Sequence, residues 1–247
     1  MRLTIRRQRG LGLVELMVGI TVGLIVAAGA SIVAVNQINE HRRLMLETQI
    51  QQDLRTAADL LQQDLRRAGF RGNAALGVWA PPSAVGTLGE QPAAMATPNQ
   101  FLDMVKTDSD AVRSLTYQYA RATYSPTGTL RDAEHFGFKW DKSSKVLYLM
   151  IGLTAGQPNW QPITDPDSVK ITDFTIDVDD SQSTSVGDFC DKPCNPPTAG
   201  ASDCPKHVVR EVSFTIVAEA AHDSNVKRTL SGFERLRADQ IIGACPA

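Results

Sequence analysis

Arg6 to Val35 reads RRQRGLGLVELMVGITVGLIVAAGASIVAV, a basic start that turns abruptly apolar and carries a glutamate, Glu15, inside the apolar run. From Leu11 to Val35 there are 25 residues with that one charge. As a helix they span about 37 Å at 1.5 Å per residue, enough to cross a bilayer with some tilt. Arg2, Arg6, Arg7 and Arg9 precede the run and no acid stands before Glu15. By the positive-inside rule this end stays cytoplasmic and everything after Val35 lies outside. Ala28-Gly29-Ala30 fits the small-residue cleavage pattern of a secretory signal, but the apolar run is longer than a signal core and continues past it. A buried core helix is rarely apolar on every face for this length. Gly19 and Gly23 stand four apart, the spacing that lets membrane helices approach closely. An ionisable side chain at membrane depth is costly, so Glu15 needs a partner.

The helical pattern continues past the apolar run. Leu46, Ile50, Leu54, Ala57, Ala58, Leu61, Leu65 and Ala68 follow in steps of three and four, and no Pro or Gly intervenes between Ser31 and Ala68. Gly69 and Gly72 mark the stop, with Arg66 and Arg67 in the last turn where cations suit the helix dipole. One helix over roughly 11–68 is therefore expected, membrane-spanning over 11–35 and amphipathic over 36–72.

The remainder reads differently. Ala75 to Gln100 is rich in Ala, Gly and Pro, hence loop. Strand-like runs follow at Ser114–Ala120, His135–Trp140, Lys145–Ile151, Val169–Val178 and Val208–Ala218, with a hairpin turn at Asp141–Ser144. Strands without intervening helices mean an antiparallel sheet, whose apolar face the helix covers. The fold class is α+β, with residues 73–247 as a β-rich globular domain.

Overall charge is near zero, with 25 basic and 27 acidic residues. Without the first ten residues, which hold four arginines and no acid, 21 basic and 27 acidic groups remain, a net of −6. That body lacks the basic face a nucleic-acid partner wants. No GxSxG, HExxH or P-loop pattern occurs, so neither an enzyme, a cofactor nor a small-molecule substrate is expected. His41, His135, His207 and His222 are scattered singly. Asp177 to Asp188 is acidic but lacks the glycine and terminal glutamate of a calcium loop. Cys190, Cys194, Cys204 and Cys245 are an even set in an exported chain, which reads as two disulfides with three possible connectivities. Zinc is the rival, with His207 near Cys204, but the paired CxxC knuckles are missing. A disulfide among the first three cysteines and one to Cys245 would staple the Pro-rich loop and tether the C-terminus.

RGLGLVELMVGI, Arg9 to Ile20, resembles the processing site of type IV prepilins: a short basic leader ending in glycine, an apolar residue, then glutamate at the fifth mature position. The resemblance implies a leader of residues 1–10, cut between Gly10 and Leu11 by a prepilin peptidase that also methylates the new amine of Leu11. Leu11 stands where phenylalanine is commonest, and Gly12 follows it. The family implies that Glu15 attracts the N-terminal amine of a neighbouring subunit. Opposite charges in low dielectric attract strongly, and each is costly alone, so pairing rewards docking in register. Gln51 to Gly72 and His207 to Ile242 are similar to PilW-type minor pilins, with a strand, a polar connection and a last strand over Leu230–Ile241. The resemblance implies partners in other minor pilins, the major pilin and inner-membrane lipid, and a place in a complex that primes assembly at the pilus tip. J-type pseudopilins of type II secretion share the plan. A membrane-anchored periplasmic binding or sensory protein would instead keep its N-terminus uncleaved.

Overall fold

The computed structural model describes residues 12–72, 99–121, 130–189 and 204–242. The chain divides into two compact units, residues 1–48 and 49–247. Helix α1, Leu13–Leu65, runs unbroken through the boundary.

In the first unit α1 is exposed along nearly its whole length. In the second it buries Ile50, Leu54, Ala57, Ala58, Leu61 and Leu65, the stripe that the three-and-four spacing specifies. The regular helix stops three residues before the expected Ala68. The last turn tightens: the amides of Arg67 and Ala68 donate to carbonyls three residues back. Gly69 then takes φ +78°, ending the helix as a left-handed cap that a Cβ would strain. A Cβ on Gly69 would also come within 2.6 Å of the Ala238 Cβ.

The strands form two antiparallel sheets where the sequence suggested one. The first has the order β1 (Val105–Asp108), β2 (Val112–Gln118), β3 (His135–Asp141), β4 (Val146–Thr154) and β5 (Gln157–Pro162). The second runs β6 (Val169–Ser185), β7 (Lys206–Ala220) and β8 (Asp223–Arg235), and β9 (Gln240–Ile242) pairs with the start of β7. The polar connection expected before Leu230 is already strand: β8 begins at Asp223, and its exposed edge position permits polar residues. The acidic stretch from Asp177 is strand too, with β6 pairing to β7 as far as Ser185. The β3–β4 hairpin turns at residues 142–145, one later than expected, and Asp141 Oδ1 accepts from the Ser143 and Ser144 amides. Those bonds and the Ser143 hydroxyl, the largest cause, hold the Asp141 carboxyl below its usual range.

Both sheets contribute to the core. Leu115, Tyr117, Phe138 and Leu147 come from the first, and Ile171, Phe174, Val212 and Ile216 from the second. Helix residues 49–65 bond to each. Asp64 accepts from the Tyr117 hydroxyl at 2.5 Å and the Tyr119 hydroxyl at 2.7 Å. Gln62 Nε2 donates to the Phe233 carbonyl, and Arg66 pairs with Glu234 at 3.0 Å. The sheets also join where the edge strand β6 meets the β3–β4 hairpin. A bulge between Ile171 and Asp173 interrupts the β6–β7 register. There the Ile171 amide donates to the Lys145 carbonyl at 2.9 Å, and the Ile171 carbonyl accepts from Trp140 Nε1 at 3.2 Å.

Candidate functional site

The apolar run of α1 contains three polar side chains, Glu15, Thr21 and Ser31. Thr21 donates its hydroxyl proton to the Val18 carbonyl and Ser31 to the Ala27 carbonyl, each at 2.9 Å. Both are satisfied within the helix, as hydroxyls in an apolar helix must be. Glu15 has no hydrogen bond or ion pair among the described residues, and it is exposed. It lies in the first turn, where the partial positive charge of the helix start favours an anion. That charge is fractional, so it offsets part of the cost and leaves the carboxylate able to take a full cationic partner.

Around Glu15 the helix surface is unusually smooth. Gly12, Glu15, Gly19, Gly23, Ala27, Ala30 and Ala34 follow at steps of three and four, which places them along one side. A Cβ added at Gly12, Gly19 or Gly23 would meet nothing within 4 Å. Side chains there are small although nothing in the chain itself crowds them. Leu13, Ile25 and Leu24, by contrast, are 76%, 72% and 65% exposed. The helix is long and apolar enough to cross a membrane, and none of its most apolar window is buried. Small residues facing open space are what a second helix would need for close approach in lipid.

Of the other residues singled out from the sequence, Gly10 and Leu11 lie outside the described residues, as do Cys190, Cys194 and Cys245. Cys204 is buried. His207 shares a 3.0 Å contact with Asp239. Among the described residues no three His, Cys, Asp or Glu side chains gather where a metal ion could sit.

Sequence reasoning missed a side-chain cluster at the end of α1. The Tyr119 ring lies flat on Phe136, 3.7 Å between centroids and 2° from parallel. The Arg67 guanidinium sits over Tyr119 at 4.4 Å and the Arg121 guanidinium over Phe136 at 5.3 Å. Burial first, then the Asp64 carboxylate, pushes both tyrosine hydroxyls well above their ordinary ionisation range. The participants are far apart in sequence, and the alternation around Tyr117 and Tyr119 was the one available signal.

Two family models match the chain. One, described as prepilin peptidase-dependent protein B, matches residues 43–236; the other, the prokaryotic N-terminal methylation motif, matches residues 5–31. No curated protein and no solved structure matches it.

Proposed function

The chain belongs to the prepilin peptidase-dependent protein B family, a pilin-type structural protein with a prepilin methylation motif, and from that premise we propose that it acts as a minor pilin of the PilW type. Prepilin peptidase removes residues 1–10 on the cytoplasmic side and methylates Leu11. The mature subunit waits in the inner membrane, held by α1, with its C-terminal part in the periplasm. It then leaves the membrane with other minor pilins in a complex that primes a pilus and remains at its tip.

One observation carries this reading. The methylation motif covers residues 5–31 and so includes the start of a helix whose exposed apolar run holds a single carboxylate, Glu15, unpaired among the described residues. A simple anchor has no use for Glu15, whereas cleavage at Gly10 creates a cation at Leu11 of each subunit. Glu15 of one subunit would meet the methylated amine of the next, and the Gly19–Gly23 side would let the two helices close on each other. A J-type pseudopilin of type II secretion would use the same contact.

Mass spectrometry of the mature N-terminus tests the proposal, in cells with and without prepilin peptidase. The expected product is a methylated Leu11 with the enzyme and intact Met1 without it. An intact Met1 in the presence of peptidase, or a start at Ser31, overturns it. Recovery of the protein in sheared pili, and its loss from them when the other minor pilins are deleted, separates the pilus from the secretion reading.

A further inference from the structure

Several cations of the globular unit already have acidic partners. Arg66 pairs with Glu234, Arg113 with Asp108 and Asp173, Lys106 with Asp177, Lys145 and Lys227 with Glu219, and Arg235 with Asp239. Arg67 and Arg121 differ. Both are exposed, and among the described residues neither forms an ion pair. Their guanidiniums are nonetheless held in place, one at each end of the Tyr119–Phe136 stack. The stack is itself immobilised, since both rings are buried and the Tyr119 hydroxyl is bonded to Asp64. Phe70, 49% exposed, is joined to both segments through its backbone: its amide donates to the Arg67 carbonyl at 3.0 Å, and its carbonyl accepts from the amide of Ala120, next to Arg121, at 2.7 Å. Two fixed cations without ion-pair partners, together with an exposed aromatic side chain on a neighbouring segment, have the composition of an interface hot spot. Their rotamers are already ordered, so binding loses little side-chain entropy.

We propose that Arg67, Phe70 and Arg121 form a docking patch for an acidic segment of a protein partner. Two ring layers separate the guanidiniums, so they cannot converge on a single phosphate. Carboxylates about four residues apart on an extended chain, at ~3.3 Å per residue, match that separation. An apolar side chain of the same segment would cover the exposed Phe70 ring. Each arginine presents its planar fork to one carboxylate while its other face rests on an aromatic ring.

The test uses the full-length chain in detergent and a fluorescein-labelled decaglutamate peptide, read by anisotropy. Binding should weaken steeply between 50 and 300 mM salt and fall at least ~10-fold in Arg67→Gln/Arg121→Gln. Arg67→Lys/Arg121→Lys, which keeps the charge and loses the planar fork, should fall in between, and Lys170→Gln should bind like the parent. Near-UV circular dichroism of each variant shows whether the aromatic stack persists. A well-folded double Gln variant that binds as the parent does overturns the proposal, as does absence of binding by the parent. Equal competition by inorganic phosphate, or preferential binding to phosphatidylglycerol vesicles, also overturns it. The readout is independent of cleavage and assembly, so its failure leaves the pilin reading standing.

Discussion

Residues 13–35 and residues 50–65 are parts of one helix with one backbone geometry, yet the first part buries nothing and the second buries a stripe of six side chains. The difference lies in composition around the helix circumference. The later stretch gathers its Leu, Ile and Ala, Leu60 apart, on one side and gives Gln, Asp and Arg the other, so its own chain can satisfy it. The earlier stretch is apolar all round, and no single packed face could satisfy that. Its small residues and its carboxylate make sense only with lipid or another helix against them. Burial thus separates what a subunit needs in order to fold from what it needs in order to be used.

Substitutions can break or sharpen that contrast. The largest effect is expected from Glu15→Ala: cleavage and methylation persist, since the variant leaves Gly10 and Leu11 intact, but recovery in sheared pili is lost. Normal assembly of this variant would remove the amine-pairing role. Next comes the fold itself. Leu61→Ala, at a fully buried position, should destabilise the protein by about 2–5 kcal/mol in urea unfolding. Leu24→Ala, at an exposed one, should stay within about 0.5 kcal/mol in the same detergent. Equal costs would mean that the two stretches do not differ as described. A pair of glycines refines the scale. Gly69→Ala should cost about 1–3 kcal/mol, because φ is +78° and the new Cβ meets Ala238. Gly156→Ala, at φ +75° with nothing within 4 Å, should cost the backbone strain alone and so measurably less.

The smallest effect is one of pH. Tyr117 and Tyr119 stay protonated in the fold well above 10.0, their ordinary value, because burial and the Asp64 carboxylate both disfavour phenolate. An acid whose folded pKa is raised contributes stability that is complete below its unfolded pKa and is lost as pH rises toward the folded one. Unfolding midpoints should therefore decline above about pH 10. Tyr119→Phe should reduce that decline while costing about 1 kcal/mol at neutral pH. An unchanged alkaline slope would show that the hydroxyl is not held as described.

How much was legible follows the same division. The buried stripe from Ile50 to Ala68 could be read position by position, because a helix on a core repeats its pattern locally. Glu15 was equally plain, since one charge in an apolar run needs no tertiary context to stand out. The edge strands were not. β1 is exposed at all four residues, and β5 carries Pro158 and Pro162, so neither shows the alternation of a half-buried strand. β8 looked polar for the same reason. The division into two sheets was hidden as well, because it depends on pairing between distant strands; where they meet, Ile171 bonds to partners more than twenty residues away. The arginine–aromatic stack joins the turn after α1, β3 and the residues after β2, and the alternation at Tyr117 and Tyr119 marks only its buried rings, not the arginines.

The backbone of Ile171 has a thermodynamic consequence. On the edge strand β6, beside the bulge, its amide bonds to Lys145 and its carbonyl to Trp140, both in the β3–β4 hairpin of the other sheet. Peeling the sheets apart would break both bonds and expose the buried residues Trp140 and Ile171 to water, an event as unfavourable as losing part of the core. The nine strands should accordingly melt as one cooperative block, giving a single calorimetric transition whose van't Hoff and measured enthalpies agree.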